Sequence, residues 1–161
     1  MKTAPALTAT AAVLLLATAC GTGQAATPDP STAPAAPGQP GDPKALFDRW
    51  NASLVAGDLD GVVDQYAADA VLLPTVAGEV HDTRAEITEY FEHFLELRPS
   101  GTLVEPKTRA LGPDAVVLSG LYDFAVTSEG EPDTVQARMT FVFERRDGRW
   151  TIVEHHSSRK P

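Results

Sequence analysis

Apolar residues recur at helical spacing in PKALFDRWNASLVAG, where Leu46, Phe47, Trp50, Leu54 and Val55 share one face. The spacing predicts an amphipathic helix with Asp42 as N-cap, Pro43 at the first helical position and Gly57 as its stop. A second short helix over 59–66 turns Val62, Val63 and Tyr66 inward. AVLLPTVAGEVHD predicts a short strand, a turn and a brief return strand. In TRAEITEYFEHFLELRP, Thr83 and Glu86 have the T-x-x-E spacing of a capping box. Ile87, Tyr90, Phe91, Phe94 and Leu95 form an apolar stripe, and Pro99 ends the helix.

Beyond Pro99 the period changes from helical to alternating. Strands are predicted over 102–111, 115–127, 134–145 and 150–157, the last two joined by an Asp147-Gly148 hairpin turn. Helices first and strands afterwards predict an α+β domain, with helices on one face of an antiparallel sheet. Strict pairing from the Asp-Gly turn sets Phe143 against Ile152, Phe141 against Glu154 and Met139 against His156. Glu154 and His156 then share the helix-facing side with Tyr122, Phe141 and Trp150, while His155 points away. In the preceding hairpin, Thr127 is set against Thr134. This pairs Tyr122 with Met139 and places Asp123 opposite Arg138 as an ion pair on the outer face.

The segment before Pro43 has another character. Residues 1–20 carry Lys2, an apolar VLLLA run and small residues up to Cys20, the only cysteine of the 161-residue chain. This pattern predicts a secretory signal, and the run is too short to span a bilayer as a helix. L-A-T-A-C resembles the lipobox of a bacterial lipoprotein, which implies cleavage before Cys20, a diacylglycerol on its sulfur and anchorage to the outer face of the cell membrane. A-T-A also satisfies an ordinary secretion site, so plain secretion is the alternative. Residues 21–42, rich in Pro, Ala, Gly and Thr, predict a tether that buries too little apolar surface to fold. The domain proper is 43–161. A net charge of −9 argues against a nucleic-acid partner.

LLPTVAGEVHDTRAEITEYFEHFL followed by ARMTFVFERRDGRWTIVEHHSS resembles the association (hub) domain of calcium/calmodulin-dependent protein kinase II. That domain lies within the nuclear transport factor 2-like superfamily, which also holds SnoaL-like cyclases, ketosteroid isomerase and scytalone dehydratase. The resemblance covers nearly all of 43–161. It implies a cone-shaped α+β fold, a bent sheet wrapped around helices with a cavity at one end, and an outer sheet face used for a homodimer or a higher ring. It implies no kinase activity. Arginines that hold carboxylates in the hub pocket would fall at Phe141, Ser157 and in the SGLYDF stretch, where this chain has none.

Glu154 and His156, two apart on one strand, would stand about 7 Å from one another. They are candidate acid and base groups, with Asp82 as an alternative base. Tyr66, Tyr90, Tyr122, Phe141 and Ser158 are candidate ligand-lining residues. His93 shares its helix stripe with Glu86, Glu89, Glu92 and Glu96, a pattern read as a solvated face, and no metal site or cofactor is expected. Three functions follow as expectations: a domain binding a small partly apolar molecule, a cofactor-free isomerase, dehydratase or cyclase, and a purely structural oligomerisation module.

Overall fold

The computed structural model describes residues 41–161; the signal segment, Cys20 and the tether up to residue 40 lie outside the described residues. Helix α1 (Pro43–Ala56) starts on Asp42, whose carboxylate accepts the Lys44 N–H, and stops on Gly57 in the left-handed conformation. Helix α2 (Leu59–Val63) is shorter than its pattern suggested. Tyr66 opens strand β1 (Tyr66–Leu73) instead of closing the helix. Helix α3 (Arg84–Glu96) has both reciprocal bonds of the Thr83–Glu86 capping box. Among the described residues no helix is long and apolar enough to cross a membrane.

Strands β2 (Ser100–Gly112), β3 (Ala115–Ser128), β4 (Glu131–Arg146) and β5 (Arg149–Arg159) form an antiparallel meander. The sheet order is β1-β5-β4-β3-β2, with β1 added parallel to β5. This parallel edge departs from the all-antiparallel expectation. Two distant segments meet there, and no local turn signal announces such a pairing. The three helices bury their apolar stripes against the concave face. Trp50 packs edge-on to Phe91, Phe124 and Phe141, and Phe47 to Tyr122 and Phe141.

Two registers differ from the alternation reading. The β3–β4 hairpin turns on Glu129 and Gly130, both at positive φ, as a two-residue primed turn requires. Thr127 therefore faces Pro132, two residues from its expected partner. A shift of two preserves parity, so Tyr122 and Phe124 keep to the buried face. It does separate Asp123 from Arg138. Asp123 lies opposite Gln136 and Arg138 opposite Leu121, and the Arg138 guanidinium donates to the Arg159 carbonyl.

The second difference is a β-bulge. Pairing from the Asp147-Gly148 turn holds as far as Phe143–Ile152, but the next pair is Val142–Glu154, leaving Val153 as the extra residue. One inserted residue reverses the face of everything after it. His155 and Ser157 are buried, while Glu154 and His156 are exposed.

Gly120 permits another close approach. Its φ is +143°, and a Cβ there would lie 2.0 Å from the Glu105 carbonyl oxygen, beside the irregularity in β2. Gly120→Ala is expected to destabilise the fold by about 2–5 kcal/mol through strain and overpacking. A urea midpoint unchanged from the parent protein would refute it.

Candidate functional site

Where β3, β4 and β5 bend away from α3, their concave faces leave a cavity of about 200 Å³. Its walls are mostly rings and aliphatics: Trp50, Tyr90, Phe91, Phe94, Tyr122 and Phe124. Pro74, Thr75 and Val76, just beyond β1, form one edge of it, with Asp133 and Arg159 also in the lining.

Two short hydrogen-bonded chains of buried polar groups meet this cavity. In one, Tyr122 Oη donates to Ser157 Oγ at 2.6 Å, and Ser157 bonds in turn to Thr75 Oγ1. In the other, Tyr66 Oη and His155 Nδ1 are joined at 2.8 Å. The imidazole lies almost flat on Phe141, with ring centroids 3.9 Å apart, and meets the Trp50 indole edge-on. His155 is only 4% exposed. Its Nε2, like Trp50 Nε1, is buried without a hydrogen-bond partner.

Burial governs the protonation of these groups. Desolvation pushes His155 down to about 3, with the neighbouring His156 adding to the effect, so the ring is neutral at physiological pH. Burial raises Tyr122 and Tyr90, and the Ser157 hydrogen bond only partly offsets it for Tyr122. Tyr66 is raised by burial first, and then by the neighbouring Tyr90 and Tyr122. The cavity floor is therefore uncharged, aromatic and capable of hydrogen bonding. An unsatisfied buried nitrogen costs about 1–3 kcal/mol, which marks His155 as a place where a ligand atom would be welcome.

Tyr90 and Tyr122 stand in the cavity wall as the sequence suggested. Phe141 and Tyr66 lie one layer behind, Phe141 stacked on one face of His155 and Tyr66 bonded to its Nδ1. Glu154, His156 and Ser158 do not reach the cavity, because the bulge at Val153 turns them to the outer sheet face opposite Val142, Thr140 and Arg138. The expected juxtaposition of Glu154 and His156 with the helices is thus corrected. Asp82 is exposed before α3, its backbone N–H donating to Glu86, and it takes no part in the cavity lining.

His155 and Ser157 were missed as inward residues. A usable signal was present: Ile152 and Val153 are consecutive aliphatics followed by Glu154, and strict alternation would have placed a carboxylate in the core.

A groove of about 630 Å³ lies on the other side of the 74–81 segment, between it and α3. Val76, Tyr90, Phe94 and Leu97 line both spaces. Glu79, Glu86 and Glu89 edge the groove, with His81 and His93. Among the described residues no group of three or more His, Cys, Asp or Glu is placed to hold a metal ion.

Residues 42–161 match the family described as calcium/calmodulin dependent protein kinase II association domain. A structure from Xanthomonas campestris, described under the same domain name, is 46% identical, covering 81% of this chain and 95% of its own, with a TM-score of 0.74. The hub homology domain of Chlamydamonas reinhardtii is 20% identical over 73% of this chain and 95% of its own, TM-score 0.61. An NTF2-like protein of unknown function from Pseudomonas putida KT2440 is 18% identical over 71% and 82%, TM-score 0.60. The last two likenesses show a shared fold.

Proposed function

Because this chain belongs to the calcium/calmodulin dependent protein kinase II association domain family, we propose that it is a homo-oligomerising domain whose cavity holds a small, partly apolar molecule, tethered outside the cell membrane by a lipid on Cys20. The observation that carries the ligand reading is the aromatic cavity with the neutral, unpartnered imidazole of His155 in its wall. Convergence of a few polar groups on an apolar concavity is the usual form of a small-molecule site. A volume of about 200 Å³ restricts the part held inside to a few rings or a short chain.

The outer sheet face supports the oligomer reading. Val117, Leu121, Thr140 and Val142 are half-buried there in the single chain, and Glu154 and His156 stand beside them. An apolar centre with polar neighbours is the composition of an interface between subunits. The lipid reading rests on L-A-T-A-C, and the Pro- and Ala-rich tether would give the domain reach from the surface.

Native mass spectrometry of the full chain, extracted in mild detergent from the membranes of its native host, tests all three parts together. The expected spectrum shows a dimer or higher ring, a diacylglyceryl mass on each N-terminal cysteine and a bound small molecule released by collision. A monomer with an unmodified terminus and no releasable mass would sink the reading.

A further inference from the structure

We propose that the ligand is an amphiphilic organic cation, an aryl- or alkylamine whose apolar body occupies the aromatic cavity and whose ammonium reaches the glutamate-edged groove. This rests on the cavity reading above and names the chemistry of its occupant. The two spaces have Val76, Tyr90, Phe94 and Leu97 in common, so they adjoin across these side chains. The cavity is lined mainly by aromatic and aliphatic side chains, with one acidic and one basic residue, Asp133 and Arg159, whose charges offset, and His155, whose buried Nε2 has no hydrogen-bond partner, is part of the lining. At the outer end Glu79, Glu86 and Glu89 face the groove with His81 and His93, and neither lysine nor arginine lines it.

The Glu86 carboxylate accepts hydrogen bonds from the Thr83 hydroxyl and from the backbone N–H groups of Asp82 and Thr83. These bonds favour its charged form, so the groove keeps a fixed negative charge. The Tyr90 and Phe94 rings between the two spaces stack at 5.6 Å, and an ammonium passing an aromatic face is stabilised by the ring quadrupole. Val76 and Val80 on the covering segment are 61% and 54% exposed, offering apolar contact to a chain lying in the groove. A carboxylate-headed ligand would meet like charge at the groove, and the net charge of −9 would slow its approach.

Isothermal titration of the full chain with 4-phenylbutylamine, 4-phenylbutan-1-ol and 4-phenylbutyrate separates the alternatives, since the three differ mainly in the head group. The amine is expected to bind about fivefold more tightly than the alcohol, with the acid weakest, and high salt should reduce that advantage. Glu79→Gln combined with Glu89→Gln, both at exposed positions away from the helix cap, should reduce the preference for the amine to the part that Glu86 supplies and leave the alcohol unchanged. Equal binding of amine and alcohol, or tightest binding of the acid, would overturn the cation assignment while leaving the cavity as a binding site. If none of the three binds, the cavity reading falls and the cation proposal with it.

Discussion

In His155→Phe, the acid-side loss of stability is expected to flatten between pH 6.5 and 3. In the unfolded chain this imidazole takes up a proton below about pH 6.5. In the folded protein, burial holds its pKa down to about 3. The unfolded state therefore binds more protons throughout that window, and folding stability falls as pH falls, by up to about 1.4 kcal/mol per unit from this residue alone. Above pH 6.5 the contribution is complete and flat. Phenylalanine preserves the stack on Phe141 but leaves the Tyr66 hydroxyl without its partner, a cost of about 1–3 kcal/mol that does not depend on pH. The parent protein and His155→Phe should thus differ in slope as well as in height. Urea unfolding measured from pH 3.5 to 8 reads both, and an unchanged acid slope in His155→Phe would show that the ring is not held neutral by burial.

Trp50→Ala should cost about 3–5 kcal/mol, the range for removing a large buried aromatic. Trp50 is 1% exposed and touches Phe47, Phe91, Phe124, Phe141 and His155 through ring contacts that bridge α1, α3 and the sheet. No single neighbour can collapse into the space it would leave. Trp50→Phe is the informative control: it keeps much of the ring surface and removes the indole N–H, which has no hydrogen-bond partner, so its loss should be nearer 1 kcal/mol. Calorimetric unfolding of the two variants would display the contrast. Similar melting temperatures for Trp50→Ala and the parent would mean that the aromatic cluster does not hold the helices to the sheet.

The largest structural consequence of a small local feature is the bulge at Val153. It moves His155 and Ser157 from the outer surface to the cavity and sends Glu154 and His156 the other way. The chemistry of the site changes with it. A carboxylate beside an imidazole would have suggested proton transfer, whereas a neutral imidazole held by a phenol, a stacked phenyl ring and an edge-on indole suggests selective contact with a ligand. Glu154 and His156 instead supply polar groups to the face proposed as the subunit interface.

Local rules were sufficient for much of the fold. The Asp42 and Thr83 caps, the Gly57 stop and the Asp147-Gly148 turn each depend on residues within a few positions of one another, so they could be read from the chain alone. Periodicity also identified the aromatic face carrying Tyr122, Phe124 and Phe141, and a register shift of two left that face intact. Tertiary structure decided what depends on distant partners or on a single inserted residue. The parallel union of β1 with β5 joins segments far apart in the chain. The bulge reversed five consecutive side chains, Glu154 to Ser158, because alternation has no memory across an unpaired residue. The cavity is enclosed by side chains of α1, α3, the 74–76 segment and β3 to β5, and their meeting is a property of the assembled layers that no stretch of sequence carries by itself.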